Sequence, residues 1–238
     1  MSKNLKIILG SIYLAILIMF LYLIFSKFDI SRINDFSYYK TIQANIEERI
    51  GGNLLLNLIL FFLFALVWVI LLGFGSPILI LSGILFGKWV GTIISIFSIS
   101  FGSLCLYVIA SYFFSDLINY YLKEKFSKYI KRFQKNEFYY FLAFRLAGGL
   151  GIPFFLQNIL PVIFKMKNKN YFFSSFFGLL PHFFIWNSIG AGINQFIKKS
   201  EDFNFINLLM TEEIYTPVLI FLILIIISLI LRKKFFND

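Results

Sequence analysis

From Leu54 to Leu72 the chain reads LLLNLILFFLFALVWVILL, without one charged residue. Few environments accept such a run. A helix that bridges the hydrocarbon core of a bilayer takes about 20 mostly apolar residues. Lipid offers the backbone no hydrogen-bond partner, so the run must close its own bonds as a helix. Four other runs approach it. Ile7 to Phe25 and Gly91 to Phe114 are uncharged, Thr216 to Leu231 is shorter but also uncharged, and Tyr171 to Gly192 carries only His182. Together they predict an all-α integral membrane protein with about five transmembrane helices. Lys3 and Lys6 precede the first run, which exceeds a signal-peptide core and has no small-x-small cleavage site after it, so it reads as a retained crossing.

Composition agrees. Mean hydropathy is +0.82, with 59% hydrophobic and 14% charged residues, too little polar surface for a soluble domain. The net charge of +10 is spread over short basic runs between apolar stretches, as in membrane-facing loops, which argues against nucleic acid as a partner. The single cysteine, Cys105, permits no internal disulfide, and it reads as a packing residue. With His182 as the only histidine, no metal site or cofactor is expected, and with no paired carboxylates in an apolar segment, no enzyme.

Two apolar stretches are broken. Residues 73–87 read GFGSPILILSGILFG, and residues 145–164 read RLAGGLGIPFFLQNILPVIF. Gly and Pro free backbone groups that lipid cannot satisfy, so both stretches read as re-entrant hairpins buried in protein or beside water. They also resemble each other: Pro77 is followed five positions later by Ser82, and Pro153 by Asn158, with glycines before each proline. Paired interrupted segments are the sequence pointer to a transporter-like site. One crossing separates them, so the hairpins enter from opposite faces.

Three basic stretches prefer the cytoplasm: Lys123 to Lys135, Lys165 to Lys169, and the tail Arg232, Lys233, Lys234. The loop with Glu201, Asp202, Glu212 and Glu213 is acidic and fits the outside. A cytoplasmic C-terminus follows. Five crossings then place the N-terminus outside, against the preference of Lys3 and Lys6. Segment 115–137 spaces Leu117, Tyr121, Leu122, Phe126, Tyr129, Ile130 and Phe133 roughly helically among lysines, as an interfacial amphipathic helix does. Small residues at Gly87, Gly91, Ser95, Ser98 and Gly102, and again at Ser174, Gly178, Gly190, Ala191 and Gly192, let helices approach closely.

Arg145 is the only charge between Phe138 and Phe164. An intramembrane guanidinium costs about 2.5 kcal/mol or more, so it needs a partner or water. Phosphate suits it, since Arg binds phosphate bidentately, and the N–H groups of Gly148 and Gly149 are candidates for an anion nest. Snorkelling to the interface or capping helix carbonyls is the alternative. Asn158 either closes the second hairpin or contacts a ligand. Pro181 and His182 interrupt the last long helix as a kink, with His182 a candidate proton relay.

These motifs carry a resemblance. The stretch Gly75-Ser-Pro77 through Gly83 to Gly87 resembles the first hairpin of the DedA-like, VTT-domain (SNARE-associated Golgi protein) family. Phe144-Arg145-Leu, then Ile152-Pro153 to Asn158, resembles the second, and Gly178 to Pro181 followed by Gly190 to Gly192 resembles the closing helix. The similarity is greatest to the branch with yeast Golgi and bacterial inner-membrane relatives. It implies two opposed re-entrant loops, formed around Pro77, Gly83, Gly87, Gly151 and Pro153, with Arg145 as the hairpin arginine. Relatives scramble phospholipids or return polyprenyl-phosphate carriers across the bilayer. DedA-branch relatives carry acidic residues in or before the first hairpin, whereas residues 73–87 have none, and Gly148 stands where proline is usual.

The resulting expectation is an N-terminal helix and connector over 1–53, a VTT-type domain over 54–196, and an acidic loop with a C-terminal helix over 197–238. The expected activity is lipid translocation or scrambling in the plasma (inner) membrane. A small-solute or ion transporter and a non-transporting scaffold are the alternatives. Membrane lipids are the expected partners, and a homo-oligomer stays open.

Overall fold

The computed structural model describes residues 3–26, 35–72, 75–121, 130–200, 204–220 and 222–223. These residues are helical with short connections and contain no strand. The helices are α1 (Lys3–Phe25), α2 (Phe36–Gly52), α3 (Leu54–Leu72), α4 (Ser76–Tyr121), α5 (Glu137–Leu146), α6 (Phe154–Ile159), α7 (Asn168–Lys199) and α8 (Phe205–Leu209), with further helical residues at 130–135 and 212–220. Among the described residues, three helical stretches are long and apolar enough to cross a membrane: Leu54–Leu71, Ser76–Phe113 and Asn168–Lys199. Within α1, Ile8–Leu23 is a shorter apolar helix. Most of the fifth expected crossing, residues 216–231, lies outside the described residues, as do residues 122–129 of the expected amphipathic helix.

Helix α4 is two helices. Gly87 has φ 73° and ψ 178°, a conformation reserved for glycine. Ser82 Oγ donates to the carbonyl of Gly91 at 3.0 Å. Nine residues of straight helix would separate them by about 13.5 Å. The chain therefore doubles back at Gly87, and residues 76–86 form a half-helix packed against the start of the long arm 88–121. The break expected around Pro77 is not there. Pro77 stands in the first turn, where its missing N–H has no intrahelical acceptor to lose, so it starts the half-helix.

Helix α3 also ends within the structure. The last carbonyls of a helix lack partners, and those of Ile70 and Leu71 accept from Tyr13 Oη at 3.0 and 2.8 Å. Tyr13 stands midway along α1, so α3 stops at mid-height of that helix. Phe20 against Phe64 and Trp68 completes the α1–α3 contact.

The second broken stretch is a helical hairpin whose arms differ from the expected 145–164. Helix α5 forms one arm and carries Arg145 in its last turn; Gly148–Gly151 forms the turn; Pro153 opens α6, and Leu160–Val162 continues the return. The two ends meet again: the Glu137 carboxylate accepts from the Lys167 N–H at 3.2 Å and from Asn170 Nδ2 at 2.6 Å.

Helix α7 is the common strut, 32 residues and about 48 Å long. The long arm of α4 runs antiparallel to it, pairing Trp89 with Phe184, Phe97 with Phe176 and Phe101 with Phe172. Two glycines admit the two hairpins. At Gly190 an added Cβ would strike the Ile80 carbonyl oxygen, and at Gly178 it would strike the Arg145 side chain and lie 3.1 Å from the Leu142 carbonyl. The half-helix 76–86 thus packs on one half of α7 and hairpin 137–165 on the other. Each has its own core: Val69, Ile78, Ile99 and Phe183 around the half-helix, and Tyr107, Phe141, Met166 and Tyr171 around the second hairpin. Asp35 caps α2 through Ser37 N and Tyr38 N, and α2 is tied to the far end of α7 by Phe36 on Phe196 and an ion pair between Glu47 and Lys198.

Close approach and turn geometry are separable by mutation. Gly190→Leu must displace backbone and should destabilise by roughly 3 kcal/mol or more. Gly87→Ala meets open space and should lose only about 1–3 kcal/mol, from its φ alone. Gly10→Ala on α1 also meets open space and should be neutral or slightly stabilising. Thermal unfolding of the three variants in one detergent checks this order.

Candidate functional site

The turn of the second hairpin is left-handed over four successive residues. Gly148, Gly149, Leu150 and Gly151 have φ of 68°, 70°, 54° and 79°. Only glycine adopts this region freely, so the sequence GGLG specifies the turn, with Leu150 as the one strained member. The turn drives α6 back along α5 and brings residues 157 and 158 level with Arg145.

Arg145 has 0% exposure. Its Nη1 donates to Gln157 Oε1 at 3.1 Å, and its Nη2 donates to Asn158 Oδ1 at 2.6 Å and to Tyr171 Oη at 3.2 Å. The guanidinium carbon lies 4.8 Å from the Phe141 ring centre and 5.3 Å from that of Phe154, so both arms supply a π face as well. Among the described residues no carboxylate pairs with it. Its charge is held by neutral dipoles and rings, and its Nε has no acceptor. Arg145 neither snorkels nor caps helix carbonyls. Both Nη atoms are engaged internally, so the side-on fork that binds phosphate bidentately is not free.

The acceptors are themselves fixed. Gln157 Nε2 donates to the Ile152 carbonyl at 2.6 Å, which locks the amide with its oxygen toward Arg145. Tyr171 Oη donates to the Asn158 carbonyl at 3.2 Å, and the Tyr171 ring stacks on Tyr107 at 4.5 Å. Tyr107 in turn donates to the Met166 carbonyl at 2.6 Å. Sequence reading missed Gln157, Tyr171, Tyr107 and Glu137. Gln157 was signalled as a polar residue inside an apolar hairpin; the others had no local signal, because their partners lie 13 to 59 positions away.

Where the two hairpins meet there is a cavity of ≈ 190 Å³. The start of α4 contributes Gly75 and Ser76, the second hairpin Arg145, Gly148 and Gln157, and α7 His182 and Trp186. Of the sequence candidates, Arg145, Gly148 and His182 line this space together. Gly149 is instead buried under the Gln157 amide, and Asn158 is buried behind Arg145 with its Nδ2 unpartnered. Pro153 starts α6, and Gly151 closes the turn. Gly83 packs against the Asn187 backbone near the middle of α7, a Cβ added at Gly87 meets open space, and neither lines the cavity. Pro181 faces outward from α7, within continuous helix. Cys105 is half-buried on α4 and free.

Removing the cation should strand its acceptors. Arg145→Ala leaves Gln157 Oε1 and Asn158 Oδ1 without their donor and should destabilise by about 3–5 kcal/mol. Tyr171→Phe keeps the stack on Tyr107 and should lose only about 1–2 kcal/mol. Denaturant unfolding in detergent, followed by tryptophan emission, checks the ratio.

No solved structure matches the chain. The family model of the VTT domain matches residues 55–192, from the start of α3 to the Gly190-Ala-Gly192 segment of α7 that receives the half-helix. That span contains both hairpins, the cavity and most of the strut, so the chain belongs to the VTT-domain family of membrane proteins.

Proposed function

We propose that this protein moves phosphate-bearing lipid head groups across the bilayer, as a translocase or scramblase. The observation that carries the reading is the buried charge of Arg145, with no carboxylate beside it among the described residues, next to a cavity between the start of α4 and the second hairpin. The half-helix 76–86 and helix α5 each rise only about 15 Å, half of the roughly 30 Å hydrocarbon core. We read them as re-entrant elements entering from opposite faces, with the cavity near the midplane. Protein replaces bilayer there, so a head group has less hydrocarbon to cross while its tails stay in lipid. The positive potential of Arg145 favours anionic head groups along that path. The basic tail Arg232 to Lys234 fits a cytoplasmic C-terminus, and a plasma-membrane location fits the same reading.

The test is dithionite quenching of head-group-labelled phospholipid in liposomes that hold the purified protein. Wild type should quench beyond the outer-leaflet share. Arg145→Gln, confirmed folded by its melting curve, should slow the inner-leaflet phase about tenfold or more. Quenching equal to that of empty liposomes would remove lipid translocation for that lipid. Anion flux without lipid movement would instead favour the small-solute transporter. No lipid or anion movement in wild type, with cellular function kept in Arg145→Gln and lost on exchange of the surface loops, would leave the scaffold reading.

A further inference from the structure

At the end of the half-helix 76–86 away from the cavity there is a second space, a groove of ≈ 300 Å³. Leu81 and Leu85 of the half-helix form one wall, Leu60 and Phe64 of α3 the other, and Ile46 and Ile50 of α2 the floor. Among its described lining residues only Asn57 is polar, and it stands in the first turn of α3, where its Nδ2 donates to the Asn53 carbonyl at 2.9 Å. Leu60 is 54% exposed, so the groove opens sideways on the uncharged face of α3 that also exposes Ile59 and Leu63.

The depth of the groove follows from helix rise. Phe64 stands about 15 Å along α3 from Leu54, and Leu81 and Leu85 lie within about 9 Å of Gly87 along the half-helix. Both walls therefore start from one end, and that end carries the residues of a membrane surface. There α2 holds Lys40, Glu47, Glu48 and Arg49 and joins α3 directly through Asn53. Gly87 is followed at once by Lys88 and Trp89. A lysine beside an exposed tryptophan is an interfacial anchor. Lys88 is the only charged residue from Leu54 to Ser115, and it has no carboxylate partner among the described residues. The groove thus runs from head-group level through about half of the hydrocarbon core, polar at its mouth and apolar below.

That gradient narrows the occupant. An apolar space of this kind does not hold ordered water. A helix about 10 Å across would need roughly four times the volume over the same length. Spread along its walls, the groove is about 20 Å² in section, the width of one hydrocarbon chain.

We propose that the groove holds one acyl chain of a glycerophospholipid, with the phosphate at Lys88, the ester region by Asn57 and the second chain left in the bilayer. The site is separate from the hairpin junction and does not require lipid to cross the membrane. Its effect is on the first hairpin: the half-helix otherwise packs through glycine proximity and one hydroxyl bond, and a bound chain joins it to α2 and α3.

Native mass spectrometry of the full chain in a short-chain detergent, titrated with dioleoyl phosphatidylglycerol, is expected to show one saturable lipid adduct, and the melting temperature should rise with its occupancy. Ile46→Trp fills the groove from α2 and should weaken the adduct about tenfold or more, with the lipid-free melting temperature kept close to wild type. Lys88→Gln should weaken it about fivefold, and Lys88→Arg should restore it. Lys169→Gln, at the far end of α7, should leave it unchanged. Glycerol 3-phosphate, which carries the phosphate without a chain, should neither bind saturably nor raise the melting temperature. Absence of a saturable adduct in wild type, an affinity unchanged in either Ile46→Trp or Lys88→Gln, or an equal response to glycerol 3-phosphate overturns the site. So does a lipid-free dimer that Ile46→Trp disrupts, because a second copy of the chain would then cover the groove.

Discussion

A guanidinium with no solvent contact and no carboxylate beside it persists only where fixed dipoles converge on it. Arg145 imposes that condition on the second hairpin. Its three acceptors come from the return arm and from α7, so the arms must lie side by side and both must seat on the strut. The GGLG turn supplies the reversal, and Gly178 supplies the room for α5 to reach α7. Burying a charge this way stabilises one arrangement of three segments, because any slip leaves either the cation or an amide unpaired in a medium that penalises both.

The first hairpin is held differently. Its half-helix 76–86 carries no charge, and it packs by backbone proximity at Gly190 together with one hydroxyl bond from Ser82. One hairpin is thus fixed by electrostatics and the other by steric fit, on two halves of the same helix. The start of the half-helix and the second hairpin border the cavity together.

Much of this was legible in the chain. The two broken stretches were marked by Gly and Pro among apolar residues, and Arg145 stood out as a lone charge. The weak repeat also had physical content. Ser82 and Asn158, each five positions after a proline, both bond across their hairpin, to the Gly91 carbonyl and to Arg145. What misled was the role of the prolines. Pro77 and Pro153 open helical arms, and the reversals fall on Gly87 and on Gly148 to Gly151, because a positive φ excludes other residues more strongly than a missing N–H does at a helix start. Tyr13, which closes the carbonyls ending α3, gave no sequence signal, because a tyrosine in an apolar helix is unremarkable until its partner 57 positions away is known.

By itself, then, the sequence determined the solvent, the helical class and the places where the backbone must break, since each follows from local composition and from the need to satisfy peptide groups in lipid. Tertiary structure alone decided which breaks reverse the chain, which dipoles hold Arg145, and that Gly75, Arg145 and His182 border one space. Those outcomes depend on contacts between residues far apart in the chain, and local patterns of hydrophobicity carry no record of which distant segment will supply the missing partner.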